Sequence, residues 1–135
     1  MSRVVFTNGV FDILHEGHYK LLQEADELGD ILIVGINSDA SVKRLKGDSR
    51  PINGIDKRVK QMRMLPWVDD VRVFEEDTPH NLIKQLKPDL IVKGGDYNAD
   101  EVVGSDLAEV HIVSTLEGYS TTSIIENTIN KKAEL

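Results

Sequence analysis

The chain has 135 residues, no cysteine and a formal charge of −7, with 23 Asp and Glu against 16 Lys and Arg. That length suits one domain, 1–135, which can bury its own core, and the missing thiols exclude cysteine nucleophiles, zinc thiolates and a disulfide scaffold. The acidic balance argues against a surface that tracks nucleic acid, so a polyanionic ligand must be met by local positive charge.

Met1-Ser2-Arg3-Val4-Val5-Phe6 runs straight into a strand without the charged, apolar and small-residue succession of a signal peptide, and no apolar run approaches the length of a membrane span. A soluble, cytoplasmic protein with neither a membrane nor a nucleic-acid partner is expected. Arg3 to Thr7 is a β-branched and aromatic run ended by Asn8-Gly9, which reads as a buried strand and a turn. Glu16 to Leu28 carries Leu21, Leu22, Ala25 and Leu28 on one helical stripe, and Gly29 stops it. Ile31 to Ile36 is almost continuously apolar, as a strand covered on both faces must be. Asn37-Ser38-Asp39 supplies capping side chains for a short helix over Asp39 to Arg44.

A basic segment follows, gathering Lys43, Arg44, Lys46, Arg50, Lys57, Arg58, Lys60 and Arg63, with a loop through Leu45 to Pro51 and a helix over Ile55 to Leu65 closed by Pro66. Val71 to Glu75 alternates as a strand. Thr78 is expected to cap the next helix with Pro79 at its first position, and that helix runs to about Lys87 before Pro88. Leu90 to Lys93 is a fourth strand, ended by the Gly94-Gly95-Asp96 turn. Glu109 to Ser114 is a fifth, and Ser120-Thr121-Thr122 caps a last helix to about Asn130. Strands alternating with helices predict an α/β fold: a single Rossmann-like domain with a five-stranded parallel sheet and helices on both faces. Its ligands belong beyond the carboxyl ends of the strands, where strand order reverses.

Neither GxGxxG nor GxxxxGK[ST] follows any strand, which excludes the dinucleotide and P-loop types of phosphate site. In their place stands Thr7 to His18, TNGVFDILHEGH. His15 and His18, with Gly17 between them at a helix entry, put two imidazoles beside free backbone N–H groups, where a phosphate can bind.

Thr7-Asn8-Gly9-Val10-Phe11-Asp12, His15-Glu16-Gly17-His18 and the terminal Ser120-Thr121-Thr122 together resemble the signatures of the HxGH-motif nucleotidyltransferases, the cytidylyltransferase-like family. Asn37 to Ser41, Arg44 to Pro51, Phe74 to Pro79 and Val92-Lys93-Gly94-Gly95-Asp96-Tyr97 look like the adenylyltransferase domain of bacterial heptose metabolism, which joins ATP and D-glycero-β-D-manno-heptose 1-phosphate. A CTP-dependent enzyme for glycerol 3-phosphate is the nearest related activity, and a nucleotide-binding regulatory module without turnover is the alternative of another class. Two departures stand out. The stretch from Val103 to Val110 is shorter than in the heptose enzymes, and Thr115 holds the place of an arginine carried by the cytidylyltransferases.

The resemblance implies a nucleoside triphosphate, ATP, a phosphorylated acceptor and Mg²⁺, without a dedicated protein metal site, and a homodimer is conceivable through Pro66-Trp67-Val68. It implies His15, His18 and Lys46 as catalytic groups. Thr7, Asn8, Gly9, Phe11 and Gly17 are expected to shape the α-phosphate floor, with Asp12 orienting Lys46 or helping to hold Mg²⁺. Ser120, Thr121 and Thr122 are assigned to the β- and γ-phosphates, Arg50 and Arg58 to phosphate, and Lys93, Gly94, Asp96 and Tyr97 to the base or the acceptor. His80, His111 and Trp67 are read as structural.

Overall fold

The computed structural model describes residues 2–95 and 97–113. Five parallel strands, β1 (Val4–Gly9), β2 (Ile31–Asn37), β3 (Asp70–Phe74), β4 (Leu90–Gly94) and β5 (Glu109–Val113), form one sheet in the order β3-β2-β1-β4-β5. Among the described residues the helices are α1 (Glu16–Glu27), α2 (Asp39–Lys46), α3 (Ile55–Arg63) and α4 (His80–Leu86), with a 3₁₀ turn at Ala99–Glu101. The chain builds outward from β1 to β2 and β3, then crosses back to place β4 on the other side of β1. That reversal sets a switch point between β1 and β4.

Period-two alternation sorts the core into two layers. Val5, Leu32, Val34, Ile36, Leu90 and Val92 face one way, against Leu21, Leu22 and Ala25 of α1 and Met62 of α3. Phe6, Ile33 and Ile91 face the other way, against Ile83 of α4 and Val102. Because side chains alternate, Thr7 continues the side of Val5 and α1, while Asn8 and Lys93 continue the side of Phe6, Ile91 and α4. The two faces of the switch point therefore receive different chemistry from adjacent residues.

Several boundaries differ from the sequence expectation for identifiable reasons. Asn8 and Gly9 extend β1 instead of turning, since they pair with Gly35 and Ile36 of β2. The helix start expected at Thr78-Pro79 lies one position later: Pro79 is itself the flanking residue, and no side chain caps α4. α2 extends to Lys46 and α3 stops at Arg63, two residues earlier than expected. The 3₁₀ turn is an addition to the expected elements; it is closed by Asn98 and Glu101 as a reciprocal capping box. The predicted last helix lies outside the described residues.

Candidate active site

The loop from β1 into α1 forms the floor of the site. Phe11 sits at φ 49, the left-handed region, and reverses the chain there. Gly9 lets the Phe11 ring lie flat against the end of β1, since a Cβ at that position would stand 3.1 Å from the ring. The same ring meets His18 edge-on at 5.1 Å between centroids.

His15 occupies the position before the first turn of α1 and caps it. The Gly17 N–H donates to His15 Nδ1 at 3.1 Å, and the His15 N–H donates to His18 Nδ1 at 3.3 Å. Two histidines thus form a reciprocal capping box, with their rings 3.9 Å apart. A ring nitrogen that accepts from a backbone N–H carries no proton, so in each neutral imidazole the proton sits on Nε2. Burial lowers the pKa of both rings, and that of His18, beside the His15 ring, falls to about 3. Both are neutral Nε2–H donors at physiological pH.

A histidine whose folded pKa lies below its ordinary 6.5 contributes stability that is full above that value and declines as pH falls toward the folded pKa. The His18 ring protons of the ligand-free protein are expected to show no NMR inflection between pH 8 and 5; an inflection near 6.5 would contradict the buried, neutral ring.

Two buried side-chain polar atoms lack a hydrogen-bond partner among the described residues: Thr7 Oγ1 and His15 Nε2. Thr7 is fully enclosed and His15 is 4% exposed. Leaving such groups unpaired costs roughly 1–3 kcal/mol each, which a bound oxygen-rich ligand would recover. Both atoms belong to the stretch that the sequence singled out.

Asp12 takes a different role from the one expected. Its carboxylate accepts from the backbone N–H of Ile52 and Asn53, both at 2.8 Å, and from Arg50 Nε at 3.2 Å. Burial would raise this carboxyl, but those two N–H groups and the Arg50 guanidinium together hold it below its ordinary value. Through these three bonds Asp12 fastens the 50–53 loop to the floor. Arg50 is the other half of that fastening, not a free phosphate clamp.

Arg58 is corrected more completely. It is 1% exposed, and its guanidinium donates to the carbonyls of Asn53 (2.9 Å), Val10 (3.0 Å) and Asn37 (2.7 Å) and to Asp39 Oδ1 (2.6 Å). Four of its five N–H groups are used in this way, which leaves no bidentate pair for a phosphate. Arg58 joins the β1–α1 loop, the end of β2, α2 and the 50–53 loop at one point.

Lys46 ends α2 and is exposed, close enough to Lys93 that its charge, after burial, contributes to lowering the Lys93 pKa. Neither lysine has an ion-pair partner among the described residues. Lys93 Nζ stands 5.7 Å from the centroid of the Tyr97 ring. Gly94 closes β4, and Gly95 follows at φ 117, turning the chain back toward Val113, whose carbonyl accepts its N–H at 3.1 Å. Asp96, Ser120, Thr121 and Thr122 lie outside the described residues.

Beyond β1 and β4, on the face of α4, a cavity of about 180 Å³ is lined in part by Asn8, Pro79, Lys93, Tyr97 and Glu101. Sequence reasoning missed Pro79 and Glu101 as lining residues. The Asn98-x-x-Glu101 spacing was the available signal, since it is that of a capping box. His80 pairs with Asp106 at 3.1 Å, away from the His15–His18 pair, and Trp67 packs on the α1-side core, as expected for structural residues. Among the described residues no group of three acidic or imidazole side chains could hold a metal ion, and no helix is long and apolar enough to cross a membrane.

Residues 6–130 match the family model described as cytidylyltransferase-like. The bifunctional protein HldE of a Nitratiruptor species is 64% identical over 126 residues, 93% of this chain and 27% of that protein. HldE of Helicobacter pylori (strain ATCC 700392 / 26695) is 58% identical over the same shares. The chain thus spans about a quarter of the length of these curated relatives. Among solved structures, the lipopolysaccharide core biosynthesis protein from Thermoplasma volcanium GSS1 aligns with a TM-score of 0.71 at 31% identity, covering 86% of this chain and 98% of that one. Pantoate-beta-alanine ligase from Francisella tularensis aligns at 0.63 with 16% identity, covering 93% of this chain and 65% of that one, and shares the fold alone.

Proposed function

The chain belongs to the cytidylyltransferase-like family, and from that premise we propose that it is one nucleotidyltransferase domain that transfers AMP from ATP to a sugar 1-phosphate, D-glycero-β-D-manno-heptose 1-phosphate, giving an ADP-sugar and pyrophosphate. The observation that carries the reading is the pair of buried, unpartnered polar atoms, Thr7 Oγ1 and His15 Nε2, at the carboxyl end of the strand beside the switch point. The names of the relatives, HldE and a lipopolysaccharide core biosynthesis protein, support a sugar-phosphate acceptor over a lipid-headgroup one.

In the proposed reaction an oxygen of the acceptor phosphate forms a bond to the α-phosphorus of ATP while the bond from that phosphorus to the bridging oxygen breaks and pyrophosphate leaves. No protein nucleophile takes part, so the residues act by position and by electrostatics. The Nε2–H groups of His15 and His18 donate to phosphate oxygens as charge accumulates on them. Being neutral in the free protein, they require no counter-ion before the nucleotide arrives. Lys46 follows the charge of the leaving pyrophosphate or the acceptor phosphate from its exposed helix end. Asn8, Gly9 and Gly17 bring backbone close to the α-phosphate, and Ser120, Thr121 and Thr122 are assigned to the β- and γ-phosphates.

Mg²⁺ is expected to enter with the triphosphate and neutralise it. With the Asp12 carboxylate committed to the 50–53 loop, the described side chains of the site offer N–H donors and ammonium groups, so phosphate oxygens are its expected ligands. The cysteine-free composition is consistent with a cytoplasmic setting. Met64, 74% exposed, beside Pro66-Trp67-Val68 supports a homodimer; a monomer mass by light scattering would remove it.

The test is pyrophosphate release in Mg²⁺ from each of ATP, CTP, GTP and UTP with a panel of phosphorylated acceptors. Release with ATP and the heptose 1-phosphate is expected. Release only with CTP and glycerol 3-phosphate would replace the substrate pair, and none with any pair would leave a binding module.

A further inference from the structure

Two Asn-Gly pairs occur in the chain, Asn8-Gly9 and Asn53-Gly54, and the fold treats them in opposite ways. Asn-Gly is the dipeptide most open to spontaneous loss of the side-chain amide, because glycine has no Cβ to shield the N–H that attacks it. Asn8-Gly9 lies in β1, where the two residues pair with Gly35 and Ile36 of β2. An extended residue cannot fold its side chain onto the next backbone N–H without leaving the ladder. Asn53-Gly54 instead joins the 50–53 loop to α3. Gly54 is exposed, and its N–H donates no hydrogen bond among the described residues. The space beside its Cα is open, with Asp39 Oδ2 3.7 Å from where a Cβ would stand.

What restrains Asn53 is the set of bonds that fastens the loop. Its N–H donates to Asp12 Oδ1 at 2.8 Å, its Nδ2 donates to the Asp12 carbonyl at 2.5 Å, and its own carbonyl accepts from Arg58 Nε at 2.9 Å. The Asp12 carboxylate is held in turn by Arg50 Nε at 3.2 Å and by the Ile52 N–H at 2.8 Å. While those bonds stand, the Asn53 amide is committed to Asp12 and cannot swing onto Gly54. Ile52 is 58% exposed, so the outer side of the loop meets water and can open without unfolding the sheet.

We propose that Asn53-Gly54 is a spontaneous modification site whose reaction is gated by the Asp12 fastening and whose product releases that fastening. The Gly54 nitrogen bonds to Asn53 Cγ, the Cγ–Nδ2 bond breaks, and ammonia leaves with the Gly54 proton. Water then opens the cyclic imide to an aspartate or an isoaspartate, and no other reactant is needed. The new carboxylate puts an acceptor where a donor had faced the Asp12 carbonyl, beside the Asp12 carboxylate itself. In the isoaspartate the main chain runs through Cγ and is longer by a methylene, which shifts the start of α3 against the loop.

The experiment holds the full chain at mildly alkaline pH and samples it over days by tryptic peptide mapping, with the mass gain and the paired aspartate and isoaspartate peaks as readout. Trypsin does not cut before Pro51, so Asn53 is read in the 47–57 peptide and Asn8 in the 4–20 peptide. In the native protein Asn53 is expected to convert while Asn8 stays intact. In guanidinium chloride both are expected to convert, Asn53 faster than in the native protein. Arg50→Gln is expected to speed Asn53 in the native protein by about tenfold, the factor by which a hydrogen bond to a buried charge holds a loop closed, and to leave Asn8 unchanged. Equal native rates at Asn53 and Asn8, a folded Asn53 as fast as in guanidinium chloride, or an Arg50→Gln rate within about twofold of wild type overturns the gated site. Asn53→Asp carries the charge of the product and is expected to raise amide hydrogen exchange at Ile52 and at position 53 by about tenfold. Unchanged exchange there overturns the release.

Discussion

Replacing His18 by alanine is expected to lower turnover by two to three orders of magnitude while ATP affinity changes only a few-fold. A preorganised donor that strengthens its bond as charge develops is worth about 3–4 kcal/mol in the transition state, and a neutral imidazole gives much less to the ground state. His15→Ala is expected to lose turnover as well, and in addition the cap of α1, because His15 Nδ1 accepts the Gly17 N–H. His18→Ala also removes one bond of the capping box, the His15 N–H to His18 Nδ1, so single-turnover kinetics and nucleotide titration are read beside a urea denaturation of the same variant. Asparagine at position 18 retains an N–H donor and is expected to recover part of the rate. Turnover within threefold of wild type in His18→Ala would remove His18 from the chemistry.

The second large effect falls on stability. Arg58→Ala leaves the carbonyls of Val10, Asn37 and Asn53 without their donor and Asp39 without its partner. Breaking a buried charge network from one side costs about 3–5 kcal/mol. Asp39 is itself 43% exposed and can turn to water, so most of the loss comes from the three carbonyls. Lysine cannot substitute, since a single ammonium does not span the four acceptors that the planar fork reaches. Urea denaturation of Arg58→Lys and Arg58→Ala should show both losing most of that stability. A loss below about 1 kcal/mol in Arg58→Ala, no more than an ordinary hydrogen bond contributes, would show that the network is not what holds the 50–53 loop to the site.

What could be read from the sequence, and what could not, divides by distance along the chain. The sheet was legible because apolar runs such as Ile31 to Ile36 and the helical stripe of Leu21, Leu22 and Ala25 are local patterns, and the chain belongs to the family that Thr7 to Asp12, His15 to His18 and Ser120 to Thr122 together resembled. The capping box of two histidines was not read, although it lies within four residues, because the backbone N–H groups of Gly17 and His15, expected to be free, are bonded to the two rings. The partners of Arg58 and Asp12 were not legible because they are remote: Asp12 binds Ile52 and Asn53, and Arg58 reaches Val10. A basic residue in a basic segment looks the same whether it faces a phosphate or three carbonyls. The 3₁₀ turn at Ala99–Glu101 is shorter than any periodicity can register, and Glu101 was lost with it. Pro79 was expected inside α4, yet it flanks the helix and walls the cavity instead.

The acid response of the site floor combines Asp12 with both histidines, all of the same sign. Asp12 contributes stability above its ordinary pKa of 3.8 and loses it as pH falls through its lowered folded value, while His15 and His18 lose their contributions earlier, from 6.5 downward. These losses loosen the floor of the site, so bound nucleotide should protect the protein most strongly against mild acid.

The central claim, transfer of AMP to a sugar phosphate, is tested most directly by ³¹P NMR of one reaction with ATP, Mg²⁺ and heptose 1-phosphate. Stoichiometric appearance of inorganic pyrophosphate together with two coupled resonances of a new phosphodiester-linked diphosphate is the predicted result. Release of ADP or of orthophosphate, with the acceptor phosphorus left as a monoester, would contradict it.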